Sequence, residues 1–346
     1  MNTKAQPKHP FVSVVVVTYN RGDIINSCLK SLKVQDYPKD RYEIIVVDDG
    51  SSDNTVKLAH AQGVKVIQHY ANKGIPFARN TGLAAASGEL IAYIDDDAVA
   101  DTKWLEYLVQ PFSSPDVVAS GGRTYAYKTN RFSERYLEAV GYGNPAPLDF
   151  GKSKNPFWRF LVYIKGMFSL VTNATIPTEV QAVFGLNCAF RTSALREIGG
   201  FDETLKADED SEISTRLRQT GARIIFVPKA LIRHRHRESL IQLLSQTYRR
   251  AEYTVHYYAK EKKILPMFPF PLFYIVVAAV TSVLWPVIGV IFIILAPVIL
   301  YGWWVIRGVR ENHHEYFIYG YVQLLLELAA VLGMVRGVTR RSLKLE

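Results

Sequence analysis

Asp48-Asp49 and Asp95-Asp96-Asp97 are runs of adjacent carboxylates, each placed directly after an apolar stretch. Neighbouring carboxylates repel one another, and a divalent cation is the usual way to offset that repulsion. On an extended turn Asp95 and Asp97 point to one side while Asp96 points away. That pair could hold a hard, oxygen-seeking ion such as Mg²⁺ or Mn²⁺, with phosphate oxygens completing the shell. Taken alone, the triplet reads equally as a solvated turn with a helix-capping aspartate. A third acidic group, Asp208-Glu209-Asp210-Ser211-Glu212, precedes a helical pattern. Alone, Asp210 there is a favourable charge at a helix N-terminus, worth a fraction of a kcal/mol.

The elements around these groups decide whether they meet. Val12–Val17 is a β-branched apolar run that reads as a buried parallel strand ending at Thr18-Tyr19-Asn20-Arg21. Ile24, Ile25, Cys28, Leu29 and Leu32 then share one helical face. Glu43–Val47 is a second strand, and Ser52–Thr55 caps a helix that reaches Ala61. Val64–His69 is a third strand, Gly74–Ala86 a loop and helix, and Leu90–Ile94 a fourth strand. Strands alternating with helices imply a mostly parallel, doubly wound α/β sheet, whose ligands bind beyond the carboxyl ends of the strands. Both acidic runs fall at such ends. Further on, Lys103–Phe112 reads as helix, Val117–Gly121 as strand, Phe184–Phe190 as strand and Ser193–Ile198 as helix. Glu212–Thr220 is a helix closed by Gly221, and Ile224–Val227 a strand. Residues 130–180 have no clean period.

At this point the chain resembles the family 2 glycosyltransferases, which have the GT-A fold. The matching segments are VSVVVVTYNR (12–21), IIVVDDGSSDNT (44–55), GIPFARNTGLAAASGELIAYIDDDA (74–98), GLNCAFRTSALREIGGFDE (185–203) and ADEDSEISTRLRQTGARI (207–224). They occur in the family's order and cover most of residues 12–225. The resemblance implies a nucleotide-sugar donor, with Asp49 bonding the imino group of the nucleobase and the chain near Tyr19 cradling the base. It puts Arg79 on the nucleotide side. Asp95 and Asp97 match the two acidic positions of the family's DxD motif, with Asp96 between them beside the donor and Asp97 in direct metal contact. Asp210 matches the base of an inverting displacement, taking the acceptor's proton. Glu209 and Glu212 are neighbours that could raise its pKa by like-charge repulsion.

Composition adds the setting. From Ile264 to Ile306 there is no Asp, Glu, Lys, Arg or His, a run well beyond the ~20 residues that cross a bilayer. Trp285-Pro286 near its middle is the expected turn, giving segments at about 264–284 and 286–306. A third, Tyr316–Val335, contains Gln323 and Glu327. The expected division is therefore a cytosolic catalytic domain, 1–263, and a membrane region, 264–346. Three spans would put Arg336, Arg340, Arg341 and Lys344 outside, against the positive-inside tendency; two spans plus a re-entrant or surface helix would keep them inside. The formal charge of +9 alone would permit nucleic acid. Its basic residues crowd the apolar run, however: Arg249, Arg250, Lys260, Lys262 and Lys263 before it, Arg307 and Arg310 after it. That is the pattern of anchors facing anionic lipid, and no surface of basics interleaved with stacking aromatics argues for nucleic acid. Two cysteines give no disulfide framework, and the opening ten residues show no secretory signal.

The basic, aromatic stretch 233–253 admits two readings. His234 or His236 could approach the diphosphate or metal and Arg249 or Arg250 the phosphates, or the stretch could lie on lipid headgroups. Gln246-Thr247-Tyr248-Arg249-Arg250 lacks the Trp of the Gln-x-x-Arg-Trp motif that the family's processive synthases carry. Phe157–Val171 reads as an interfacial helix guiding a lipid-linked acceptor, or as an ordinary buried segment. The expected function is transfer of one sugar to a polyprenyl-linked acceptor at the membrane. The alternatives are a processive polysaccharide synthase and a catalytically silent scaffold.

Overall fold

The computed structural model describes residues 9–145, 155–168, 174–266 and 268–343. They form two compact units, Met1–Leu148 with Leu170–His236, and Asp149–Ser169 with Arg237–Glu346. The first unit ends at His236, and residues 149–169 group with the second.

The first unit opens with β1 (Val12–Thr18), α1 (Ile25–Lys33), β2 (Tyr42–Asp48), α2 (Thr55–Ala61), β3 (Lys65–Gln68), α3 (Ile75–Ala85), β4 (Leu90–Asp95) and β5 (Ala98–Ala100). It continues with α4 (Trp104–Val109), β6 (Val117–Ala126) and α5 (Phe132–Ala139). After α6 (Pro156–Phe168), which belongs to the second unit, come β7 (Thr178–Glu179), β8 (Asn187–Arg191), α7 (Thr192–Glu197), α8 (Glu209–Gln219) and β9 (Arg223–His234).

The sheet runs β3-β2-β1-β4-β8-β6-β9-β5, with β7 on β9. β1 is buried on both faces, as its valine-rich sequence requires. Val14 and Val16 face Ile25, Cys28 and Leu29 of α1 on one side, and Val15 faces Ala78 and Leu83 of α3 on the other. Each of these valine, isoleucine and leucine side chains contributes about 1.5–3 kcal/mol through burial. The sheet is parallel from β3 through β4. Beyond that it is mixed: β8 runs antiparallel to both β4 and β6, and β9 runs parallel to β6 but antiparallel to β5 and β7. The expectation of a mostly parallel sheet therefore describes its first half.

β9 is the element whose extent differs most from the sequence pattern. Pro228 reads as a strand end, yet β9 continues to His234 through a register shift, Gly122 pairing with Val227 and Arg123 with Leu231. An extra stretch in one strand of a ladder is a bulge, which keeps the pairing while re-aiming the residues beyond it.

The second unit contains α9 (Leu240–Lys260), α10 (Pro269–Leu284), α11 (Pro286–Leu300), α12 (Gly302–Glu311), α13 (Tyr316–Ser342) and α6. α10 and α11 turn back on each other at Trp285, with Tyr274 stacked on Phe292 at 5.9 Å. At 16 and 15 residues they are about 24 and 22 Å long, short of a ~30 Å hydrocarbon core. α12 is bent 61° from α11. Among the described residues α13 alone is long and apolar enough to cross a membrane, or two spans if the bent pair counts as one.

α9 and α13 run side by side in the same direction. A Cβ on Gly333 would meet the Tyr248 carbonyl oxygen at 2.2 Å, and one on Gly337 the Glu252 carbonyl oxygen at 2.3 Å. Only glycine allows that approach, the physics of small-xxx-small helix pairs. Glu252, buried, accepts from Arg340 Nη1 at 2.7 Å and lies 3.4 Å from Arg336 Nε. The basic end of α13 therefore sits beside the helix that precedes the apolar run. Glu327, inside α13, is buried and held by the Tyr163 and Tyr301 hydroxyls and by Gln323. The stretch Phe157–Val171 is helical as far as Phe168; residues 169–173 lie outside the described residues.

Candidate active site and metal centre

The strand ends of the first unit gather the acidic groups. Asp95 closes β4 and Asp97 directly precedes β5. Because β5 pairs with the end of β9, Ala98 lies opposite His234, and the Arg235 amide donates to the Asp97 carbonyl at 3.0 Å. His234 Nε2 is thereby delivered 2.9 Å from Asp97 Oδ1 and 3.7 Å from Asp95 Oδ2. One ligand atom from each of Asp95, Asp97 and His234 lies within 4.8 Å of the others. Two carboxylate oxygens and an imidazole nitrogen make a donor set suited to a divalent cation.

Burial disfavours a charged His234, but hydrogen bonds and charge from Asp95 and Asp97 outweigh it and raise the imidazole to about 10. The protonated ring thus balances the acidic pair, and it would have to lose its proton to ligate an ion. His236 Nδ1 lies 3.2 Å from His234 Nδ1. Burial, then the neighbouring His234 charge, lowers His236 to about 3, so it stays neutral and orients the first ring. Tyr142 packs edge-on against it at 5.5 Å.

Asp96 is placed apart from the other two, with its Oδ1 3.6 Å from Arg21 Nε. Burial, then Asp97, pushes its carboxyl up to about 7. Arg21 Nη2 also reaches within 3.9 Å of Asp97.

Asp49 is 2% exposed at the end of β2. It accepts from the Lys73 and Gly74 amides at 3.0 and 2.8 Å and from His69 Nδ1 at 2.8 Å. His69 Nε2 in turn meets Thr81 Oγ1 at 3.0 Å. Its carboxylate thus ties down the 70–74 loop, a task additional to the base contact that the resemblance implies. Tyr19, half-exposed, projects from the adjoining end of β1.

Asp210 lies in the first turn of α8, launched by Asp208 in the left-handed region at φ 62°. Its Oδ1 accepts from Arg79 Nη1 at 2.7 Å, and Glu209 Oε1 shares the same nitrogen at 3.1 Å. Arg79 is 5% exposed; its guanidinium is engaged with these two acids. Glu212 is no free neighbour of Asp210. It is 2% exposed and gripped by Arg216 at 2.6 and 2.7 Å, so its charge is neutralised within its own helix. Arg249 and Arg250 are exposed on α9 in the second unit, where Arg249 Nε contacts the Ser245 carbonyl of its own helix at 3.4 Å. Sequence reasoning passed over His69 and Arg21; Arg21 stood in the first matching segment, whereas His69 carried no signal beyond closing a strand.

The family model for glycosyl transferase family 2 matches residues 13–199, and that for glycosyl transferase family group 2 matches residues 154–325. The pre-mycofactocin glycosyltransferase of Mycobacterium tuberculosis is 33% identical over 239 residues, covering 68% of this chain and 44% of that protein. The chain thus spans less than half the length of that relative. The glucosyl-dolichyl phosphate glucuronosyltransferase of Haloferax volcanii is 27% identical over 65% of this chain and 69% of its own. Among solved structures, the mannosyltransferase PcManGT of Pyrobaculum calidifontis, in complex with GDP-Man and Mn²⁺, superposes with a TM-score of 0.58. It is 21% identical over 94% of this chain and 87% of its own, a likeness of fold.

Proposed function

The chain belongs to glycosyl transferase family 2, and from that premise we propose that it is an inverting, metal-dependent transferase. It moves one sugar from a nucleotide-sugar donor to a membrane-held, polyprenyl-linked acceptor at the cytosolic face. The observation that carries this reading is the cluster of Asp95, Asp97 and His234 within 4.8 Å at the end of β4. Asp95, Asp97 and His234 would hold the ion. A bound Mn²⁺ or Mg²⁺ would supply Lewis-acid stabilisation of the departing diphosphate. Asp210 accepts the proton of the acceptor hydroxyl. Tyr19 and the loop fixed by Asp49 border the nucleobase.

The Mn²⁺ and GDP-Man of the Pyrobaculum structure and the dolichyl phosphate in the name of the Haloferax relative support the ion, the donor class and the acceptor class. Membrane anchoring is supported by α13 and by the exposed apolar surface of α10 and α11, including Leu272, Val283 and Val287.

The test is a thermal-shift screen of UDP, GDP and dTDP with Mn²⁺. One nucleotide should raise the melting temperature only when the ion is present, since a ligand of the folded state stabilises it by mass action. No metal-dependent shift with any of the three would overturn the reading.

A further inference from the structure

Arg79 is a buried cation enclosed on several sides. Its carbonyl accepts from the Tyr93 hydroxyl at 3.1 Å, fixing the backbone of α3 at that point. Its Cζ lies 5.3 Å from the centre of the Phe201 ring. Its Nη1 is divided between Asp210 and Glu209. On the remaining side it meets residue 185, where a Cβ would fall 1.9 Å from Nη2 and 2.2 Å from Cζ. The guanidinium occupies the space that any side chain at 185 would need.

We propose that Arg79 is the positioning residue of the base: it fixes Asp210 for proton transfer, and Gly185 is glycine to leave room for it. This rests on the reading of Asp210 as the base. Asp210 Oδ1 is bound to Arg79, whereas Oδ2 has no partner among the described residues. One oxygen is anchored and the other is left for the acceptor hydroxyl. A charge-assisted bond of 2.7 Å is short and strong enough to select one rotamer of a short side chain. Glu209 sharing the guanidinium keeps the local charge balance when Asp210 takes a proton. Two acids on one nitrogen and a side chain 6% exposed argue against Arg79 as a free phosphate ligand, the place that resemblance alone implies for it.

The experiment uses the full chain in detergent and in membranes of a bacterial expression host, as wild type, Arg79→Gln, Arg79→Lys, Gly185→Ala and Asp210→Asn. Binding of UDP and GDP with Mn²⁺ is measured by calorimetry. Transfer is followed as label from UDP-glucose, UDP-N-acetylglucosamine or GDP-mannose entering the organic extract. Arg79→Gln should leave nucleotide Kd within threefold of wild type while kcat falls at least ~10²-fold, the scale of general-base loss. Arg79→Lys, which keeps a charge without the fork, should fall between the two, and Gly185→Ala should reproduce the Arg79→Gln pattern in milder form. If Arg79→Gln fails to fold, Arg79→Lys and Gly185→Ala carry the test. A tenfold weaker Kd with kcat preserved would place Arg79 in the nucleotide site and overturn the proposal, as would an unchanged kcat. Asp210→Asn at the wild-type rate would instead overturn the base reading itself, whatever Arg79 variants do.

Discussion

Replacing His234 by Ala should weaken Mn²⁺ binding by at least ~10²-fold, about 2.7 kcal/mol, and abolish metal-dependent nucleotide binding. The magnitude follows from the geometry. The three ligand atoms lie within 4.8 Å of one another, and ligands about 2.1–2.2 Å from one ion are separated by no more than about 4.4 Å. A small closure of the cluster therefore lets a single ion touch all three. Loss of a direct ligand should exceed the ~10–100-fold typical when an outer supporting group is removed. His236 supplies that outer comparison, since it contacts the His234 ring at 3.2 Å. His236→Ala should accordingly lose ~10-fold or somewhat more. Free Mn²⁺ is counted by its paramagnetic resonance signal during titration of the full chain, with and without GDP or UDP. The His234→Ala protein also loses the cation that balances Asp95 and Asp97, so its metal-free melting temperature must be measured separately. Binding of Mn²⁺ within threefold of wild type, or a larger loss in His236→Ala than in His234→Ala, would refute the reasoning.

Asp210→Asn should bind nucleotide and Mn²⁺ as wild type does while losing at least ~10²-fold in transfer; loss of nucleotide binding instead would move Asp210 into the donor site. Mn²⁺ affinity should fall as pH falls below about 10, because His234 is raised to about 10 and must shed its proton to ligate; calorimetry at several pH values reads this, and a flat profile would show that His234 is no ligand. Asp49→Ala removes the acceptor of three donors that fix the 70–74 loop and should weaken nucleotide Kd at least ~10-fold, in line with ~1–3 kcal/mol for stranded buried donors. Gly337→Leu forces a side chain into a Glu252 carbonyl 2.3 Å from where its Cβ must sit; a destabilisation of ~1–3 kcal/mol should appear as a lower melting temperature in detergent, and no change would mean α9 and α13 do not pack this closely.

Periodicity made the first half of the sheet legible. The valine-rich β1 reads as a strand buried on both faces and flanked by parallel partners, its polar members being the small Ser13 and Thr18. The places where prediction fell short share one cause: they depend on contacts between segments distant in sequence. Nothing local indicates that β8 runs antiparallel to β4, nor that β9 passes Pro228, because a bulge against Gly122 and Arg123 absorbs the proline. His234 was therefore legible as one of two histidines near phosphate or metal, and only the pairing of Ala98 with His234 separates it from His236. Arg79 is a similar case. Its charge is visible in the sequence, but its partners lie about 130 residues away across the fold. The acidic run at 208–212 likewise conceals which members are neutralised, since Glu212 meets Arg216 while Glu209 and Asp210 meet Arg79.

The pairing of α9 with α13 determines where the molecule can be cut. Hydropathy suggests a stop codon after Lys263, just ahead of the apolar run. Such a fragment would keep α9 and discard its cover, baring the backbone against which Gly333 and Gly337 close and the buried Glu252 carboxylate. Its freshly uncovered stripe would drive self-association and be misread as membrane affinity. Ending the chain after His236 keeps both histidines and removes α9 with its partner. Residues 149–169 belong with the discarded part, because Tyr163 is held there by Glu327. A fragment limited to the first unit is therefore not a simple truncation: it omits residues 149–169 as well as everything after His236, and it retains the strands and site side chains of that unit.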